Sequence, residues 1–234
     1  MELQDFAAQH LYSQFAFAKP QASILDRRGA TTEAMQEHLK LSKVALHPTA
    51  VEVTSENNRD QYRIGIAQIY ASLMSFDDLA EAKLETRSFL EMAVEHFEQP
   101  PVAALNIRTF DIAPADSFED LRDALRAKLT PGSQGLIEAV GVPLSDLTWV
   151  FEFKDQHTAV SVQFGPMEND QLRTILQDPD GADYPDNALF LSVDTKLRHK
   201  DGKSQDPLEW WDRSVEAHRK KAGLIGEWLR EGIT

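Results

Sequence analysis

The stretch DPLEWWDRSVEAHRKKAGLIGEWLREGIT, residues 206–234, decides the fold. Asp206 suits a helix N-cap, Pro207 suits the first helical position, and Glu209 stands where a capping-box carboxylate reaches back. Leu208, Trp211, Val215, His218, Ala222, Ile225 and Leu229 recur at three- and four-residue intervals, so they share one face. The spacing predicts one long amphipathic helix, roughly 40 Å at ~1.5 Å per residue. Its apolar stripe needs a sheet face or a second long helix as a seat.

Working outward, the rest of the chain offers both. Strands are expected at Val102 to Phe110, Leu147 to Lys154, Ala159 to Phe164 and Ala188 to Lys196, with a helix from Phe118 to Leu129 capped by Asp116 or Ser117. Before Pro100-Pro101 the order is similar. Leu3, Phe6, Ala7, His10 and Leu11 keep helical spacing, which reads as a short helix or an arm, and Tyr12 to Ala18 then alternate as a strand. Asp26 to Ala30 reads as a loop, and Thr31 or Thr32 as the cap of a short helix. Ala50 to Thr54 and Tyr62 to Leu73 read as a hairpin, and Ser75 as the start of a long helix through Phe97. The expected fold is α+β with two similar halves, residues 1–99 and 100–234, each a strand, a short helix, about three strands and a long helix. Together they should form one compact unit, with antiparallel sheets and both long helices packed on one side.

Composition narrows the chemistry. The chain has 234 residues, 42% hydrophobic and 26% charged, which is enough to bury a substantial core. Its net charge of -14 is spread along the whole length, with 9 basic and 15 acidic residues in 1–100 and 15 and 23 in the remainder. An even acidic field disfavours nucleic acid as a partner. The absence of cysteine excludes disulfides, Cys-ligated zinc and a thiol nucleophile. Met1 to His10 carries no basic region followed by an apolar run, and no 18 apolar residues stand together, so a cytoplasmic protein with no membrane partner is the expectation.

Several stretches together resemble a sporadically distributed family of uncharacterised bacterial and archaeal proteins with a strand-rich N-terminal half and a long C-terminal helix. They are Val51, the Tyr62–Leu73 run, the Phe76–Phe97 helix, Ala104-Leu105-Asn106-Ile107-Arg108, and the ending Leu189-Phe190-Leu191-Ser192-Val193-Asp194 with its following helix around His218. The resemblance covers most of the chain and rests on pattern. It implies the α+β arrangement above and, through patchy distribution, the company of mobile or defence-related genes. It implies no catalytic residues.

No motif assigns a catalytic, cofactor-binding or metal-binding residue. His10, His38, His47, His96, His157, His199 and His218 form no close pair of the His-Glu-x-x-His kind. His218, on the apolar stripe, reads as a hydrogen-bonded core residue, and His96 as a complement to its helix dipole. Gly132-Ser133-Gln134-Gly135 lacks the spacing of a phosphate loop or nucleophile elbow and reads as a turn, and Asp178-Pro179-Asp180-Gly181 lacks a calcium loop's glycine and glutamate. The one dense basic group is Lys196, Arg198, His199, Lys200 and Lys203, with Arg219, Lys220 and Lys221 beyond it. It reads either as an anion or partner surface or, by preference, as neutralising the acidic loop nearby. Trp210, Leu224 and Trp228 lie within about 40° of one direction at ~100° per residue, forming a second stripe for the other long helix or a second copy of the chain. The functional expectation is a non-enzymatic interaction or regulatory protein, a defence-associated or antitoxin-like partner of a basic protein, and a homodimer. The alternative is a small-molecule-binding protein or enzyme with a pocket between sheet and helices.

Overall fold

In the computed structural model the described residues are 3–39, 43–56, 58–74, 76–98, 100–140, 145–176, 184–204, 206–231 and 233. The chain opens with strand β1 (Ala7–Phe17), so the helical spacing near the N-terminus does not make a helix. Its pairing shifts between Ala8 and His10, a bulge at Gln9 that breaks the period of two and leaves apolar residues three and four apart. Helix α2 (Arg28–Leu39) is the short helix expected after Thr31 or Thr32 but starts at Arg28, and with α1 (Ser23–Asp26) it takes the place of the loop expected at Asp26 to Ala30. Thr31 and Thr32 cap nothing; their hydroxyls donate back to Arg27 O at 3.0 Å and Arg28 O at 2.8 Å inside α2.

Strand β2 (Lys43–His47) was not anticipated, because none of its residues is buried and no alternation marks it. It is followed by β3 (Ala50–Thr54), β4 (Gln61–Gly65) and β5 (Gln68–Leu73). The Tyr62–Leu73 run is therefore two strands of a hairpin, with Ile64 opposite Ile69. Buried positions pass from even, Tyr62 and Ile64, to odd, Ile69, Ala71 and Leu73. That slip in phase is the turn's signature. A Cβ on Gly65 would lie 3.3 Å from Thr49 O and from Ala50 Cβ, so the turn is entered through a residue without a side chain.

Helix α3 (Leu79–His96) starts at Asp78, whose carboxylate accepts from Ala80 N at 2.8 Å; Ser75 lies outside the described residues. After β6 (Val102–Pro114), helix α4 (Phe118–Leu129) is capped by Ser117, which accepts from Asp120 N at 3.2 Å. The Pro131-Gly132 turn leads into α5 (Gln134–Val140), and then come β7 (Trp149–Lys154), β8 (Thr158–Glu168), α6 (Asn169–Ile175), β9 (Asn187–Arg198) and α7 (Pro207–Arg230). Helices α5 and α6, at 7 residues each, are too short to display a period.

The strands form one antiparallel sheet of nine in the order β2-β3-β4-β5-β1-β6-β9-β8-β7. Helix α3 packs on β5 and β1, and α7 on β6 and β9. The two helices touch on the same face, tied by Arg87 to Asp212 at 3.0 Å and Lys83 to Glu216 at 3.4 Å. Along α7, Trp211 and Val215 join a core with Phe89, Leu90, Leu105 and Ile107. Ala222 and Leu229 join a second core with Leu121, Leu125, Phe164 and Leu191. The opposite face is closed at one end by α6, where Leu172 meets Phe110, Ile112 and Phe190.

These contacts rank two substitutions. Trp211 is 1% exposed, and Trp211→Ala is expected to cost about 3–5 kcal/mol through the cavity it leaves. Asp206 accepts from Glu209 N at 2.9 Å, and Asp206→Ala should cost about 1 kcal/mol. Urea unfolding of both variants checks the order, and equal small losses would contradict the burial of α7.

Candidate functional site

Two regions of the sheet surface gather the residues of interest, one at each end of α7. Near the helix N-terminus lies the basic group. Lys196, exposed on the sheet face away from the long helices, stands 3.8 Å from Asp194. Together with Lys154, Arg198, Gln14 and Asn106 it lines a hollow of about 430 Å³ beside the β7–β8 turn. The buried Oδ1 of Asn106 has no partner there. His199 and Trp210 are spent on each other, ring edge to face at 5.3 Å, and Trp210 also packs against the first core. Lys200 and Lys203 are exposed in the turn before α7. Of the other cations, Arg219 is anchored to the buried Asp111 at 2.7 Å, while Lys220 and Lys221 are exposed. The acidic loop weighed as a calcium site, Asp178 to Gly181, lies outside the described residues.

Trp228 sits at the far end of α7, 18 residues from Trp210 and so roughly 27 Å away at ~1.5 Å per residue. The second stripe is thus not one surface. Half of it is packed within the protomer, and the half with Leu224 and Trp228 is 57% and 43% exposed. This half forms one wall of an apolar groove of about 860 Å³. Phe151 and Phe153 of β7, 41% and 59% exposed, form the other wall, and Val160, Val162 and Phe164 of β8 the floor. Among the described residues, Lys221 is the one charged residue of the lining. Phe151 stacks on Phe164 at 5.9 Å, and Trp228 meets Phe164 edge-on at 6.2 Å, so the rings are fixed by their neighbours. Lys128 covers the far side of Trp228 at 4.4 Å and donates to the carbonyls of Trp228 and Leu229, closing the C-terminal end of α7.

Strand β7 ends the sheet, so among the described residues its outer backbone edge pairs with no strand. An apolar groove beside an open edge presents unpaired amides and apolar side chains together, which is what an added strand requires. Sequence alone hides this. Phe151 and Phe153 alternate as core residues of an inner strand would, and only the strand order shows that β7 has a single neighbour.

The open face of the sheet carries a polar ladder. Arg108 pairs with Asp194 at 3.1 Å and lies over the ring of Tyr12 at 5.8 Å. Tyr12 donates to Gln14 Oε1 at 2.8 Å, and Gln14 donates to Gln68 Oε1 at 2.6 Å. Burial and the neighbouring Tyr70 hold the Tyr12 hydroxyl up at about 12. His10 bonds Ser72 Oγ at 2.9 Å, and burial, followed by Arg108, pushes its pKa down to about 4. His96, in the last turn of α3, bonds Thr31 Oγ1 at 3.2 Å, and burial and then Arg27 lower its pKa. Among the described residues no three His, Asp or Glu side chains converge as a metal would need.

His218 crosses the middle of the core. Its Nε2 bonds Thr109 Oγ1 at 3.1 Å and its Nδ1 bonds Thr195 Oγ1 at 2.9 Å. With one hydroxyl donating and the other accepting, the ring is held neutral. Burial, with Arg219 and Lys221 behind it, pushes its pKa down to about 3. In the unfolded chain both His10 and His218 titrate near ~6.5 and bind more protons than in the folded state. Their contribution to stability is therefore complete above about pH 6.5 and declines as pH falls toward the folded values. Between pH 7 and 5 each ring should cost on the order of 1–2 kcal/mol. His10→Asn should remove its own share of that loss, as read by urea unfolding at the two pH values. An unchanged loss in the variant would contradict the neutral assignment of His10.

Compared with protein-family models and with curated proteins the chain matches none, so the site rests on its own residues.

Proposed function

We propose that this is a non-enzymatic interaction protein whose docking surface is the β7 edge together with the α7 groove. The observation that carries the reading is the exposure of Phe151, Phe153, Leu224 and Trp228 on one contiguous wall-and-edge surface. Large apolar groups gathered in this way mark interfaces on folded proteins. The net charge of -14 over the rest of the molecule favours a basic protein when a different chain is bound, since charge speeds and selects encounter.

Strand order supports a second element of the reading, that residues 1–99 and 100–234 are two similar halves joined into one compact unit at the β1–β6 pair. In each half the first strand lies beside the last strand before a long helix: β1 beside β5, then α3; β6 beside β9, then α7. In the first half α1 and α2 cover the sheet toward its edge, with Ile24 and Met35 packed in the core that holds Val51 and Val53. In the second half α4 packs on β8 and β9. It leaves the rings of β7 uncovered, and the groove is the place a helix fills in the first half. Superposing β1, β5, β4, β3 and α3 on β6, β9, β8, β7 and α7, in that order, tests this; a mismatch of strand order would overturn it.

The interaction reading predicts that Phe153→Asp combined with Trp228→Asp leaves the fold intact, because both side chains are half exposed or nearly so, and abolishes association. Affinity capture from the native host, followed by titration of each purified candidate against both proteins, reads the effect. If wild type and variant retain the same partners with the same affinity and the same sedimentation, the face is not an interaction surface. If wild type instead carries a small molecule that the variant loses, the groove is a ligand pocket.

A further inference from the structure

Resting on the interaction reading, we infer that the occupant of the groove is a second copy of this chain, joined β7 to β7 across a twofold axis at Phe153. A twofold axis that relates two antiparallel copies of one edge strand stands perpendicular to the sheet and passes midway between a residue and its own copy, so both copies keep their helices on the same side and the exposed rings of Phe151 and Phe153 in each look into one shared gap.

Charge then selects the register. With the axis on Glu152, like carboxylates stand directly opposite. With the axis on Phe151, Glu152 faces Val150 and Lys154 faces Thr148, so neither charge is answered. With the axis on Phe153, Glu152 of each copy faces Lys154 of the other, giving two cross-strand ion pairs, and the Phe153 rings meet at the centre. Phe151 then faces Asp155, whose carboxylate is already turned toward its own hairpin, accepting from His157 N and Thr158 N at 2.7 Å. Glu152 and Lys154 are exposed and have no ion-pair partner among the described residues of their own protomer. The -14 charge on each copy opposes association at long range, but over about 8 Å at physiological salt that repulsion is screened, and the local pairing decides. The result is a continuous sheet in which the open edge of β7 is removed.

The chain contains no cysteine, so a single introduced thiol reports the register without background. Directly opposed Cβ atoms in an antiparallel pair lie about 4.5–5.5 Å apart, close to disulfide geometry. Phe153→Cys should therefore cross-link to a covalent dimer under mild oxidation. Phe151→Cys should not, because its two copies are offset by four residues, roughly 13 Å at ~3.3 Å per residue. In sedimentation equilibrium, Glu152→Lys and Lys154→Glu should each weaken the dimer roughly ten-fold or more, and the double exchange should restore it. Cross-linking through residue 151 in place of 153, or a double exchange no better than the singles, would overturn the register. A wild type that stays monomeric at high micromolar concentration would overturn the homodimer. In that case, loss of a different partner by Phe153→Asp would leave the interaction reading standing, and its absence would end both.

Discussion

One helix has to be buried along its whole length, and the rest of the structure follows from that requirement. The apolar stripe of α7 is longer than one small core can cover, and it is seated by two: Trp211 and Val215 in the first, Ala222 and Leu229 in the second. Bridging them forces the strands of both into one sheet, with β1 and β6 at the centre. Midway along α7 lies His218, bonded on both ring nitrogens to threonines of β6 and β9. A histidine so placed fixes the rotation and register of the helix on the sheet, because sliding by one turn would leave a buried ring and two hydroxyls unpaired.

The same requirement explains where the surface is unfinished. Seated on β6 and β9 of a nine-stranded sheet, α7 does not cover the sheet edges, and smaller helices must close the gap. Helices α1 and α2 do so on one side, but α4 stops short on the other, leaving Phe151 and Phe153 beside Leu224 and Trp228. Among the described residues this edge sets these four exposed large apolar side chains beside an unpaired strand edge, whereas the other edge strand, β2, exposes only Leu46 of that kind. Elsewhere its outer sheet face is satisfied by cross-strand polar contacts such as Arg108 with Asp194 and Tyr12 with Gln14. That contrast is what favours the β7 edge over the ladder in the proposed reading.

How much of this was legible beforehand depended on range. The starts of α7 and α4 are readable because their caps are local: Asp206 and Ser117 accept from amides three residues on, whereas α7 ends at Arg230, short of the expected Thr234. Strand β3 shows itself by the alternation of Val51 and Val53, whereas β9 opens as a continuous buried run, Ala188 to Leu191, and alternates only from Ser192. The turn between β4 and β5 was missed although its signal was present, in the move of apolar residues from even to odd across Gly65. The start of β1 was misread because a bulge at Gln9 imitates helical spacing. The candidate site was the least legible part. A lysine cluster stands out in an acidic chain, and Trp210 and Trp228 stand out by size, yet Trp210 is packed against His199 and the core. Phe151 and Phe153 give no local sign of exposure, since whether a strand is an edge is settled by which strands pair tens of residues away.

The account turns on whether the outer edge of β7 is covered in solution, and amide hydrogen exchange at increasing protein concentration measures this directly. The outward amides of Trp149 to Lys154 should become protected as concentration rises, while those of β1 and β6 at the sheet centre stay slow throughout. Exchange along β7 that remains fast and independent of concentration would contradict it.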